Sequence, residues 1–199
     1  MKIIGITGGV GCGKSFIMEQ LKERYNVAVI LTDLVAHELM EPGGKSYNEI
    51  VSHFGTQILD ESGIINRRIL GEIVFHDPKE LIILNQITHP NVKEEVKNRI
   101  SVIQKERKSS MIAVEAALLI EDHYDEICEE LWFIDAKEEV RIERLIKKRG
   151  YTREKCLSIM EKQLTREEFL KHCKRVIHND TTKEDAIAQI DIIMKEIIA

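Results

Sequence analysis

An α/β fold on a five-stranded parallel sheet is predicted by three observations. Five short apolar runs recur along the chain, the stretches between them carry helical spacing, and the first run ends in a glycine-rich turn that opens a helix. A parallel strand covered by helices on both faces reads as a continuous apolar run rather than an alternating one. Residues 2–6 form the first such run. The spacing of Phe16, Ile17, Leu21 and Tyr25 predicts a helix over residues 14–25. Residues 27–31 are apolar throughout and are predicted to be a strand buried on both faces. Residues 111–114 and 131–134 repeat that signature, and 175–177 form a shorter fifth candidate. Long helices are predicted over 84–103 and 182–198.

Between the second and third strands lie about 75 residues of helical character, too many for a simple crossover. They are predicted to form a lobe over the carboxyl edge of the sheet, where ligands bind in open α/β folds. With no internal repeat and no linker-like tract, the chain reads as one domain, 1–199. Its core segments are 1–33, 110–140 and 174–199, its helical lobe is 34–109, and a helical lid spans 141–173.

Composition narrows the function classes. The 199 residues hold 29 Lys+Arg against 34 Asp+Glu, a net charge of −5, and 43% hydrophobic residues, enough for one sizeable core. No apolar run approaches the roughly 18–20 residues that span a bilayer, and the opening residues are too short for a signal segment. A cytoplasmic chain without membrane association is predicted. Cys12, Cys128, Cys156 and Cys173 form no C-x-x-C pair and no zinc-finger spacing, so reduced thiols are expected and zinc is not. Residues 141–175 carry 12 Lys+Arg against 5 Asp+Glu, +7, leaving −12 for the remainder. An acidic body with one basic segment argues against broad nucleic-acid binding. The segment reads either as a solvated helix face or as a local site for a polyanion such as a nucleotide polyphosphate.

The sharpest motif is Gly8-Gly9-Val10-Gly11-Cys12-Gly13-Lys14-Ser15, which matches G-x-x-x-x-G-K-[ST]. Its glycines let the backbone curl so that successive N–H groups point at phosphate oxygens, and the following helix adds its positive end. A strand before it and a helix after it complete the context of a P-loop that binds a nucleoside triphosphate. Lys14 is placed to reach the β- and γ-phosphates and Ser15 to ligate Mg²⁺. Cys12 reads as a small residue that fits the loop, or as a thiol activated by the helix start and Lys14. No N-K-x-D guanine signature occurs, and the chain leaves little room for the further domains of a motor. A helical lobe for an acceptor and a basic lid to exclude water point to a small-molecule kinase. Asp33, just past the second apolar run, is a candidate to orient or deprotonate an attacking hydroxyl; the same position suits a helix cap by Thr32 or Asp33.

The run Gly5-Ile6-Thr7 into the P-loop resembles the opening of bacterial dephospho-coenzyme A kinases. The likeness continues through Thr32-Asp33, Glu41-Pro42-Gly43, His53-Phe54-Gly55, Asn66-Arg67, Phe75, His89-Pro90, Leu118-Leu119, Glu121, Arg144, Gln163 and His178-Asn179. The resemblance implies a P-loop NTPase-type core with an acceptor-binding lobe and a lid. The reaction implied is transfer of the ATP γ-phosphoryl to the ribose 3′-hydroxyl of dephospho-CoA, the last step of coenzyme A synthesis. It makes Asp33 and Lys14 catalytic, and Gly8, Gly9, Gly11, Cys12, Gly13, Lys14, Ser15, Phe16, Arg144 and Asn179 the ATP site. Arg67, His89, Leu118 and Glu121 join Asp33 on the acceptor side, and Glu115 contacts Mg²⁺ through water. ATP and dephospho-CoA are the expected partners, with no nucleic acid and no obligatory protein. By residues alone His89-Pro90 also reads as a turn or helix entry, Leu118 as core, and Arg67 and Arg144 as surface cations. Leu31, His37, Ala117 and Arg141 depart from the family, standing where acid, arginine, proline and glutamine are common. Another small-metabolite or nucleotide kinase on the same fold is the nearest alternative, and a nucleotide-responsive binding module a more distant one.

Overall fold

The computed structural model describes residues 1–198; Ala199, the end of the predicted core segment 174–199, lies outside the described residues. The chain divides into two compact units. One comprises Met1–Ile30 and the chain from Ile103 onward, and the other comprises Leu31–Val102.

The first unit is the sheet with its helices. Strands β1 (Lys2–Thr7), β2 (Val27–Leu31), β3 (Met111–Glu115), β4 (Glu130–Asp135) and β5 (Arg175–His178) stand in the order β2-β3-β1-β4-β5. β1 pairs parallel with β3 from Lys2↔Met111 to Ile6↔Glu115, and with β4 from Ile4↔Glu130 to Thr7↔Phe133. β4 pairs parallel with β5 from Trp132↔Arg175 to Asp135↔His178. This register brings Thr7, Glu115, Asp135 and His178 to one edge, with β3 and β4 flanking the turn that leaves β1. All six residues of β4 are buried, as a central strand requires. β2 departs from the prediction of burial on both faces, because Ala28, Val29 and Leu31 are only half-buried. It is an edge strand, with a neighbour on one side alone.

Helix α1 (Lys14–Tyr25) begins and ends as its spacing predicts, burying Ile17, Met18 and Leu21, while Asn26 closes it in the left-handed conformation. Each such fully buried aliphatic side chain contributes roughly 1.5–3 kcal/mol. The predicted lid folds as three helices of this unit, numbered after the five that precede them in the chain: α6 (Glu138–Arg149), α7 (Arg153–Met160) and α8 (Arg166–His172). Gly150 ends α6 at φ 63°, Thr152 caps α7, and Thr165 with Glu168 forms a capping box on α8. Phe169 of α8 stacks on Phe133 of β4 at 4.7 Å between ring centroids. Ile142, Leu145 and Cys156 make a small cluster that also packs Val10. The last helix, α9 (Lys183–Ile198), completes the unit.

The second unit is helical: α2 (Thr32–Leu39), α3 (Lys45–Phe54), α4 (Arg67–His76) and most of α5 (Pro78–Glu106). Ile50, Phe54, Ile58, Ile65 and Leu70 form its core. Pro90 sits inside α5, so His89-Pro90 marks neither a turn nor a helix entry. The helix continues because its next turns are held by packing: Val92 and Val96 are buried, and the buried Asn91 amide donates to Glu49 at 2.8 Å and to Ser46 at 3.3 Å. Among the described residues no helix is long and apolar enough to cross a membrane.

Candidate active site

β1 empties into the turn Gly8–Gly13, and α1 starts at Lys14. Gly13 is the N-cap at φ 95°, ψ 28°, a left-handed conformation that favours glycine, and no side chain caps the helix. Phe16 N–H and Ile17 N–H donate to Gly13 O at 3.1 and 3.4 Å, and the Lys14 and Ser15 amides before them form the positive end of the helix dipole. The loop's carbonyls, in contrast, are pinned. Lys14 Nζ donates to Gly8 O at 2.8 Å, and Arg141 Nε donates to Val10 O at 2.9 Å. Arg144 Nη1 and Asn179 Nδ2 both donate to Cys12 O, at 3.1 and 2.7 Å. With these carbonyl oxygens held by side-chain donors, and with Val10 N–H bonded to Gln163 Oε1 and Cys12 N–H to Gly9 O, the backbone donors suited to an anion are the amides at the start of α1.

The loop is surrounded by cations. Lys14 lies 3.6 Å from Glu115, at the end of β3, and spends one of its three donors on Gly8 O. Ser15 is exposed on the first turn of α1, and Phe16 is half-buried with Lys183 Nζ 5.5 Å from its ring centre. Cys12 is 1% exposed, and burial raises its thiol pKa more than Lys14 and Arg141 lower it. Desolvation thus favours the neutral thiol, which supports the small-residue reading of Cys12 over the activated-thiol one.

The basic segment does two jobs. Arg153 pairs with Glu139 at 2.5 Å on an exposed face, and Lys155 lies over the Tyr151 ring. Arg141 and Arg144, in contrast, turn to the loop, so Arg144 is no free surface cation. Arg141 and Gln163 are partners of the loop that sequence reasoning left out of the site: Gln163 Oε1 accepts from Val10 N at 2.9 Å and from Arg141 Nη2 at 3.1 Å. The signal was the three-residue spacing of Arg141 and Arg144, which puts both on one face of α6. A cavity of about 730 Å³ opens beside them, lined by Gly9, Arg141, Gln163, Asp135, Arg166 and His178 among others. Asp135, buried at the end of β4, accepts from Arg166 Nε at 2.9 Å and lies 3.3 Å from His178 Nδ1. Leu118 is 42% exposed while Leu119 is fully buried, so Leu119 alone is core, and Glu121 is exposed in the turns after β3.

Asp33, Arg67 and His89 belong to the second unit. Asp33 is the exposed second residue of α2, and the N-cap position is Leu31 with no side-chain cap bond, so neither Thr32 nor Asp33 serves as a cap. Arg67 is the exposed first residue of α4, whose cap is Asn66, accepting from Arg68 N at 3.1 Å and Ile69 N at 3.3 Å. His89 is half-buried on α5.

The dephospho-CoA kinase family profile matches residues 2–185. A dephospho-CoA kinase of Dehalococcoides mccartyi is 35% identical over 198 residues, 98% of each chain. Among solved structures, a Thermus thermophilus protein superposes with a TM-score of 0.82 at 25% identity, covering 98% of this chain and 97% of its own. A dephospho-CoA kinase from Campylobacter jejuni superposes with a TM-score of 0.74 at 26% identity, covering 99% and 98%.

Proposed function

Because the chain belongs to the dephospho-CoA kinase family and phosphorylates dephospho-CoA with ATP as co-substrate, we propose that the ribose 3′-hydroxyl is the acceptor and that Gly8–Ser15 holds the ATP polyphosphate. The observation that carries this reading is the loop whose Gly8, Val10 and Cys12 carbonyls are each taken by a side-chain donor. Lys14 stabilises charge on the transferring phosphoryl, and Asp33 aligns the hydroxyl and accepts its proton. Because the transferring group is metaphosphate-like, alignment outweighs base strength. Arg144 belongs to the lid over the phosphates, Asn179 lies on the adenine side, and Arg67, His89, Leu118 and Glu121 serve the acceptor. In this reading 1–33, 110–140 and 174–199 act as core, 34–109 as acceptor lobe and 141–173 as lid.

The donor set suits Mg²⁺. An exposed hydroxyl at Ser15 and one carboxylate at Glu115 match an ion that keeps waters and phosphate oxygens as its other ligands. Among the described residues no group of three or more His, Cys, Asp or Glu side chains gathers to cage an ion by itself. When bound, Mg²⁺ neutralises phosphate charge; Ser15 would hold it directly and Glu115 through water.

Incubating the protein with ATP, Mg²⁺ and dephospho-CoA tests the reading. Mass spectrometry should find a single phosphoryl added to the acceptor, and phosphorus NMR should place it on the 3′ oxygen. A 2′ product, or ADP released without acceptor modification, would refute the proposed chemistry.

A further inference from the structure

The Val10 peptide is gripped on both edges by one segment of chain. Its carbonyl accepts from Arg141 Nε at 2.9 Å, and its N–H donates to Gln163 Oε1 at 2.9 Å. Arg141 Nη2 closes the ring by donating to the same Gln163 oxygen at 3.1 Å. Two donors converging on that atom fix it as the carboxamide oxygen rather than nitrogen. Arg141 comes from the first turns of α6 and Gln163 from the turn between α7 and α8, so both ends of the segment meet on a single loop peptide. Arg141 is largely shielded from solvent, and its backbone also lies close to the loop: a Cβ added at Gly11 would stand 2.8 Å from Arg141 O.

Gly9 supplies an independent observation. Its φ is not in the left-handed region, so its backbone does not demand glycine. What a side chain there would meet is the Arg141 guanidinium, whose three terminal atoms are the nearest neighbours of an added Cβ. Glycine at position 9 thus makes room for the guanidinium in its seat against the loop.

We propose that Arg141 is a positioning residue for ATP. With Gln163 it clasps Val10, holds the loop in its anion-binding curl, and couples α6–α8 to the phosphate cradle. The inference rests on the reading of Gly8–Ser15 as the ATP site and adds a residue that sequence reasoning set aside as a departure. Arg141 acts through the loop, so its loss weakens capture of ATP and leaves the acceptor side alone.

Steady-state kinetics and calorimetric titration with a non-hydrolysable ATP analogue, on the full chain, test this. Arg141→Ala should raise the KM for ATP and the analogue Kd about tenfold or more, the scale of a lost charged hydrogen bond, with the KM for dephospho-CoA and kcat changed less than about threefold. Arg141→Lys, which keeps the charge but not the fork, should recover only part of the loss. Gly9→Ala should act by evicting the guanidinium, so it should reproduce the Arg141→Ala loss, and the double variant should be no worse than either single one. Should Arg141→Ala fail to fold, Arg141→Lys and Gly9→Ala carry the same comparison. Losses that multiply in the double variant, a fall in kcat at unchanged ATP KM, or unchanged ATP binding in Arg141→Ala or Arg141→Lys would overturn the proposal. A wild-type protein that does not bind the analogue would instead overturn the assignment of the ATP site.

Discussion

Asp33 stands exposed as the second residue of α2 and makes no cap bond, so its structural share is only the modest one of a carboxylate in a helix's first turn. A positioned base typically contributes ~10²–10⁴ in rate. Asp33→Asn is therefore expected to cut kcat by about that factor while ATP affinity stays within about threefold, measured by turnover and analogue titration. Wild-type turnover in that variant would remove Asp33 from the chemistry. Thr7 poses the opposite case. It is the last residue of β1, fully buried, and its hydroxyl has no hydrogen-bond partner among the described residues. An unpaired buried hydroxyl costs about 1–3 kcal/mol, and valine has nearly the same shape and suits a strand. Thr7→Val should raise Tm by about 2–12 °C for a chain of this size; a fall would mean that the hydroxyl bonds a buried water.

At the scale of elements, α6 decides how the loop is held, because it carries both Arg141 and Arg144 on one face. Removing Arg144 leaves Cys12 O with the Asn179 donor alone and takes a positive charge from beside the phosphate cradle. Arg144→Ala is expected to raise the KM for ATP about tenfold, or to raise ADP release without acceptor phosphorylation as water enters the site. Unchanged ATP KM, transfer and hydrolysis would exclude a lid role. The start of α1 and the strand before it were legible from sequence, since apolar spacing and the P-loop glycines are local signals. Pro90 was not: proline disfavours a helix interior, yet tertiary contacts at Asn91, Val92 and Val96 carry α5 through it. Arg141 was missed for a related reason. Its partners lie 131 residues back and 22 residues ahead, so the spacing that puts it on one face with Arg144 marks a shared face but not what that face touches.

Whole-molecule order has the same character: the five apolar runs foretell strands, but which strand lies at the edge depends on pairing between distant segments. Glu130 shows how one such pairing is fixed. It is the first residue of β4, 5% exposed, and takes Lys2 of β1 at 3.2 Å, Lys174 at 3.1 Å and Arg175 of β5 at 3.1 Å, with the Trp132 indole donating at 2.9 Å. Burial alone would raise its pKa; the donors from Trp132, Lys174 and Lys2 outweigh it and bring the group down from 4.5 to about 2. A carboxylate depressed on folding stabilises the native state above its unfolded pKa, and that contribution is lost as pH falls from about 4.5 towards 2. Glu130→Gln keeps the shape but leaves three cations facing a neutral amide, and should cost about 2–4 kcal/mol at pH 7. Urea unfolding at pH 7 and pH 3 separates the two contributions: the wild type should lose more stability on acidification than Glu130→Gln, and the two curves should draw together at pH 3. Equal losses in both proteins would show that the acid sensitivity of this sheet resides in other carboxylates, and that Glu130 does not clamp the amino edge where β1, β4 and β5 meet.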